Sequence, residues 1–297
     1  MTVKLTRDLT RAGLDTRGIK GLQRDGALSR IRDGAYSERV ESDARLAHLQ
    51  LIEATWPLLG NNAVLSHGSA GAVHGLPLWG SMLQRVSITR SDGGHGERSR
   101  NLHAWQWPLA AAEVTTRDDM RVTSIERTAV DVALSLPYER AVAVLDAALH
   151  AGADPALLQG IVRAASGRRG VRTTRAALLF ADGLAESVGE SISRVRMVDV
   201  DLPAPTLQFR VLDRFKRFVA RTDFCWRERG VVGEFDGAVK YTGTPAEVAQ
   251  VVMAEKRREQ AIRDAGWWVV RWEWADLANP SAFRERILQA FASASRA

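Results

Sequence analysis

Along the first forty residues, apolar positions recur at helical spacing within Leu5 to Arg11 and again within Thr16 to Arg24, where Ile19 and Leu22 share a face. Gly13 and Asp15 separate the two runs, and Asp15 or Thr16 stands where a helix cap is needed. The next segment, ALSRIRDGAYS, sets Leu28, Ile31 and Tyr36 among polar residues around Asp33-Gly34, which is a hairpin pattern. Helix, turn, helix and hairpin predict a winged helix-turn-helix over residues 1–39. Beyond it, Val40 to Leu59 reads as a long amphipathic helix, and VLSHGSAGAVHGLPLWG as a strand and a short helix ended by Gly75 and Pro77. Strands are expected at Arg85 to Thr89 and Leu102 to Trp107, with the loop SDGGHGERSR between them. From Ser124 to about Phe180 the pattern is helical, broken at Pro137, Gly152 and the 166–170 loop. Residues 40–183 are therefore expected to form a mixed, mostly helical region.

The pattern changes after residue 184. ESVGESISRVRM predicts a helix with Ser187 near its start and Glu186 and Glu190 one turn apart on one face. TLQFRVLD and RFVARTDFCW are β-rich runs split by the turn Arg214-Phe215-Lys216, and VVGEFDG is a third strand. Pro245 to Ala265 reads as a helix with proline in its first turn, and Gly266 ends it before a fourth strand, WWVVRWEW. Alternation puts Trp268, Trp272 and Trp274 on one strand face and Trp267 on the other, an arrangement for core packing rather than base stacking. The order α-β-β-β-α-β over residues 184–297 is the core of the restriction-endonuclease-like fold, the PD-(D/E)XK superfamily. The whole is an α+β to α/β multidomain chain.

Composition narrows the classes. At 297 residues, 45% hydrophobic and 26% charged, the chain is long enough for two or three domains with a sizeable core. It has no apolar run of about 18 residues, so no membrane association is expected. A polar amino terminus and a single cysteine, Cys225, lead to the expectation of a cytoplasmic, reduced protein in which Cys225 is a lone packed thiol. The net charge of +6 rests almost wholly on arginine, which bonds phosphate and guanine bidentately and suits a nucleic-acid partner. An Arg- and Ala-rich composition also fits a GC-rich genome. The placement of charge says more: the first forty residues carry +4 before Glu38, with Arg17, Lys20 and Arg24 at i, i+3 and i+7 along the second helix and Arg30 and Arg32 on the wing. That is the layout of a recognition helix in the major groove of double-stranded DNA.

Candidate chemistry gathers in the C-terminal region. Asp223 is expected at the end of the second strand and Glu234 on the third, with Glu234 and Asp236 on one face. Asp223 and Glu234 could hold one Mg2+ or Mn2+ against a scissile phosphate, because such ions take oxygen ligands and keep several waters. Glu190 would complete the site from the helix. The superfamily expects lysine two residues beyond the strand glutamate, and Asp236 occupies that slot, which leaves Lys240 and Lys256 as relocated candidates. His67 and His74 read as satisfied structural histidines, and the run Arg163, Arg168, Arg169, Arg172, Arg175 as a solvated face.

Over residues 5 to 150 the succession RIRDGAYS, VLSHGSAGAVHGLPL, RVTSIERTAVDVA and AVAVLDAAL resembles actinobacterial AbiEi-type antitoxins of type IV toxin–antitoxin systems. That resemblance implies a winged-helix repressor whose usual genetic partner is a nucleotidyltransferase toxin. Over residues 187 to 277, RTDFCW, GEFDGAVKY and EKRRE followed by GWWVVRWEWADL resemble Vsr-like endonuclease domains, which implies Asp223 and Glu234 as metal ligands and Glu190 as the helix acid. Two functions follow from these features. The acidic set points to a metal-dependent endodeoxyribonuclease delivered by a winged-helix reader, whereas the displaced lysine and the antitoxin likeness point to a non-catalytic regulator with an inactive nuclease-fold domain.

Overall fold

A three-residue strand too short to show periodicity, β1 (Val3–Leu5), runs directly into α1 (Thr6–Arg11), and α2 (Thr16–Arg24) follows after a turn through Gly13, whose φ is +92°. The structure is a computed structural model that describes residues 3–90, 97–237 and 244–296. Asp15 caps α2, its Oδ1 accepting the Gly18 N–H at 2.7 Å. β2 (Ser29–Arg32) and β3 (Ala35–Ser37) form a hairpin through Gly34 at φ +76°, and β1 pairs with β3, giving the sheet order β1-β3-β2. Leu9, Ile19 and Leu28 close the core of these elements.

α3 (Ala44–Thr55) begins four residues later than the apolar pattern predicts, because the Asp43 side chain caps it by accepting the Leu46 N–H at 2.9 Å. It packs against the segment before it: Ala54 shares a core with Leu5 and Ala35, and the Ala54 carbonyl accepts the Arg32 Nε–H at 2.8 Å. The chain divides into two compact units. Met1–Ala148 with Gly152–Leu179 form the first, and Leu149–Ala151 with Phe180–Ala297 the second.

Residues 40–183 are mixed and mostly helical, but their strands join in one sheet that the sequence pattern does not announce. After β4 (Ala63–Leu65) and α4 (His67–His74, closed by Gly75 at φ +74°) come β5 (Val86–Arg90), β6 (Glu97–Arg98), β7 (Leu102–Trp105), β8 (Val114–Arg117) and β9 (Met120–Thr123). With β4 they build a six-stranded mixed sheet in the order β6-β7-β5-β4-β9-β8. The strands are two to five residues long, and β4 is buried at every position, so alternation has no room to show. Four helices follow, α5 (Ile125–Ala133), α6 (Tyr138–His150), α7 (Pro155–Ala164) and α8 (Val171–Phe180), with Ser124 and Asp154 capping α5 and α7. His74 Nε2–H donates to the Thr123 carbonyl at 2.8 Å, a structural role.

The second unit opens on α9 (Val188–Asp199), which Ser187 caps by accepting the Glu190 N–H at 3.1 Å. Glu186 therefore precedes the helix instead of sharing a face with Glu190. β10 (Thr206–Leu212), β11 (Phe218–Trp226) and β12 (Val231–Phe235) run antiparallel in sequence, α10 (Pro245–Asp264) crosses over, and β13 (Trp268–Trp272) returns parallel to β12. α11 (Trp274–Leu277) and α12 (Pro280–Ala294) end the chain, so Trp274 belongs to a helix and not to the fourth strand. Phe224, Val231 and Trp272 pack with Phe283, Ile287 and Phe291 on one sheet face, while Val211, Cys225 and Val232 pack against Ile262 of α10 on the other. Gly233 lets Trp272 lie close to β12, since a Cβ there would come 2.6 Å from its ring. Among the described residues no helix is long and apolar enough to cross a membrane.

Candidate active site and nucleic-acid interface

Sheet pleat decides which side chains meet in the second unit. Asp223 shares a face with Cys225 and Glu234 with Val232, so both carboxylates lie on the side that α10 covers. Asp223 sits inside β11, three residues before its end, and its Oδ2 accepts the Phe235 N–H at 2.9 Å. Glu190 reaches in from the first turn of α9; it is 7% exposed, and its Oε2 accepts the Glu186 N–H at 3.0 Å and the Gln208 amide at 2.9 Å. Gln208 lies opposite Asp223 in β10, where the pairing skips it and its φ is +49°. A left-handed glutamine inside a strand costs on the order of 1–3 kcal/mol, the kind of strain that persists where a side chain is being aimed. Gly189 allows α9 to start this close, because a Cβ there would overlap the Phe235 ring.

The charge balance of the cluster is uneven. Burial pushes the Asp223 carboxyl up to about 7; Glu190 and Glu234 add to the rise, and the Phe235 N–H and Arg258 oppose it. Glu234, 6% exposed, holds two cations instead: Arg258 at 2.5 Å on Oε1 and Arg271 at 2.9 Å on Oε2. Arg271 faces Glu234 across the β12–β13 register and also stands 3.6 Å from Asp236, whose pKa is raised by burial against the pull of Arg271. Among the described residues, no three His, Cys, Asp or Glu side chains are grouped closely enough to hold a metal ion by themselves. Mg2+ is more often held by one or two carboxylates together with waters and substrate phosphate. Asp223 and Glu234 offer oxygen donors on one sheet face, and Glu234 is near enough to add to the rise that burial causes in Asp223.

A raised carboxyl makes a pH prediction whose sign is fixed. Between about pH 4 and 7 the unfolded chain releases the Asp223 proton while the folded chain keeps it, so stability falls as pH rises and the penalty is complete above pH 7. In EDTA, Asp223→Asn is therefore expected to melt above the wild type at pH 8, by at most about 4 kcal/mol, with the gap closing toward pH 4. Equal melting curves at pH 8 would show that Asp223 ionises freely.

Lys240 lies outside the described residues, and Lys256 is exposed on α10. The cations in contact with the strand glutamate are Arg258, two residues beyond Lys256, and Arg271. Neither is accessible to a search for lysine at fixed spacing, since one depends on helix docking and the other on strand register.

In the first unit, Arg17, Lys20 and Arg24 are all exposed on α2, with Arg24 3.2 Å from Asp25. Arg30 is exposed on the hairpin and pairs with Asp33 at 3.0 Å. Arg32 departs from the wing role: Nε and Nη1 donate to the Ala54 and Asp33 carbonyls, and partial burial lowers its pKa. It ties the hairpin to α3. The run near residue 168 also departs from a simple solvated face, because Arg168 stacks 3.5 Å from the centre of the Trp107 ring.

No family model matches the chain. Two Mycobacterium tuberculosis proteins described as uncharacterized, MT2308 and Rv2248, are each 30% identical to it over 250 residues, which cover 83% of this chain and 86% of theirs. The crystal structure of the RV2827C protein from Mycobacterium tuberculosis aligns with a TM-score of 0.39 at 17% identity, over 65% of this chain and 75% of that one.

Proposed function

The chain belongs to the same family as MT2308 and Rv2248, and we propose that it is a DNA-binding protein in which a winged helix-turn-helix reader is joined to a restriction-endonuclease-like phosphodiesterase dependent on Mg2+ or Mn2+. One observation carries this reading: Glu190 and Glu234, buried on α9 and β12, both lie close enough to Asp223 on β11 to raise its carboxyl, which burial raises most. Asp223 and Glu234 would hold the ion. Bound there, it would lower the pKa of a water and offset charge on the phosphate under attack. Glu190, fixed by the Gln208 amide, would orient the water, and Arg258 and Arg271 would face the phosphate in place of the superfamily lysine. Isothermal titration of the full chain with Mn2+ tests the ion site. One ion per wild-type chain and none in Asp223→Ala is the expected result, and equal uptake by both would remove Asp223 from the site.

The reader makes a separate prediction. If Arg17, Lys20, Arg24 and Arg30 each displace a counterion from duplex DNA, log K should fall against log salt with a slope of about −4. Lys20→Ala combined with Arg24→Ala should weaken binding and flatten the slope to about −2. Unchanged affinity in a filter-binding series would end the recognition-helix assignment.

A second reading is favoured by the double ion pairing of Glu234, whose charge Arg258 and Arg271 already offset. On it the protein is a non-catalytic AbiEi-like antitoxin and autoregulator acting with a nucleotidyltransferase toxin. Salt-dependent DNA binding without Mn2+ uptake is the outcome that selects it.

A further inference from the structure

The first unit contains a half-open cavity of about 260 Å³, lined by both polar and apolar groups, that neither the reader nor the acidic cluster uses. His67, Arg85, Arg98, His103, Trp105 and Asp131 are in its wall. Three rings are stacked there, His67 on Trp105 at 3.9 Å and 8° and His103 on Trp105 at 4.0 Å and 29°. His67 is held in place by a left-handed backbone, φ +48°, and by Gly68, where a Cβ would strike the Met82 carbonyl. Strain of that kind at a cavity wall is a pointer to use.

Two buried polar atoms of the wall have no hydrogen-bond partner, the acceptor Asp131 Oδ2 and the donor Trp105 Nε1–H. Asp131 is 2% exposed; its other oxygen accepts the Arg127 Nε–H at 3.0 Å, and on the orphaned side His67 Nδ1 is 3.8 Å away, beyond hydrogen-bond reach. Leaving such atoms unpaired costs about 1–3 kcal/mol each, so a ligand that supplies one donor and one acceptor is favoured. The surroundings are positive: besides burial, Arg127, His103 and Arg168 hold the His67 imidazole well below its ordinary pKa, and Arg98 and Arg85 act in the same direction on His103 after burial. A cationic ligand is therefore disfavoured. An anionic group suits Arg85 and Arg98, and a neutral planar edge bearing both N–H and acceptor suits Asp131 and Trp105.

We propose that this cavity binds a single nucleotide, its phosphate between Arg85 and Arg98 and its base edge paired with Asp131 Oδ2 and Trp105 Nε1–H. The volume lies just under the range of about 300–1,000 Å³ usual for drug-sized ligands, which suits one nucleotide better than a dinucleotide. Titration of the full chain with AMP, GMP, CMP, UMP and inorganic phosphate, read by calorimetry and by the melting temperature, tests this. At least one nucleotide should bind below about 1 mM and raise the melting temperature, with phosphate alone at least tenfold weaker. Trp105→Phe keeps the ring and removes the donor, and Arg98→Ala removes an exposed cation; each should weaken that nucleotide about tenfold, the loss of one hydrogen bond. Asp131→Asn should change which base is preferred, and where it fails to fold the other two variants decide. No binding at 5 mM, phosphate as tight as the best nucleotide, binding only to a 5′-phosphorylated oligonucleotide, or full affinity in both Trp105→Phe and Arg98→Ala would each overturn the proposal.

Discussion

Arg258→Ala is expected to lower metal-dependent nicking of supercoiled plasmid by about 10²-fold or more, the usual cost of removing one electrostatic donor from a phosphoryl or acyl site. Lys256→Ala, two residues away on the same helix, is expected to leave the rate within about twofold, as a solvated side chain should. The contrast follows from position. Arg258 stands 2.5 Å from Glu234 and also donates to the Arg221 carbonyl at 2.7 Å, so the guanidinium is fixed at the acidic cluster, whereas Lys256 is exposed. Arg258→Lys should restore part of the rate, since it keeps the charge and loses the fork of donors. Melting temperature separates chemistry from folding: a variant that melts like the wild type and nicks a hundredfold more slowly has lost a group acting on phosphate. Equal losses in Arg258→Ala and Lys256→Ala would disprove the assignment.

Arg127→Met should produce the largest loss of stability in the first unit. The Arg127 side chain is 1% exposed, its Nε donates to Asp131 at 3.0 Å, its Nη1 to Glu113 at 2.9 Å and to the Pro108 carbonyl at 3.1 Å, and the guanidinium lies 3.8 Å from the Trp107 ring centre. Arg168 covers the same ring at 3.5 Å. Removing one partner of a buried ion pair typically costs about 3–5 kcal/mol, mostly because the other charge stays buried. For a unit of this size that is about 6–20 °C in melting temperature. Adding Asp131→Leu to Arg127→Met should recover part of the loss, because the more deeply buried of the two carboxylates that Arg127 pairs with is then gone. Scanning calorimetry with two resolved transitions reads this directly, and a drop under about 2 °C would show that the pair contributes little.

Local signals in the chain were legible where one residue carries the physics. Asp15 caps α2, Gly75 ends α4, Ser187 caps α9, and the order of helix and strands across residues 188–272 follows from period and punctuation. The six-stranded sheet was not legible, because β4 and β5 are short and almost wholly buried, and β6, β8 and β9 are four residues or fewer. Glu190, Asp223 and Glu234 could be named from composition and order alone. Their companions Gln208, Arg258 and Arg271 could not, because a skipped pairing in β10, the docking of α10 and the β12–β13 register are tertiary facts. Arg32 shows the opposite limit: a wing arginine looks free in sequence, and only packing reveals that the Ala54 carbonyl holds it.

The central claim is that Asp223 and Glu234 support metal-dependent cleavage of DNA, and plasmid nicking tests it most directly. With Mg2+ or Mn2+, the full-length protein should convert supercoiled plasmid to open circles, EDTA should stop it, and Asp223→Ala or Glu234→Ala should abolish it while duplex binding stays nearly intact. Cleavage by the wild type no greater than by Asp223→Ala, on duplex, single-stranded and mismatched DNA alike, would contradict the account and leave the non-catalytic regulator in its place.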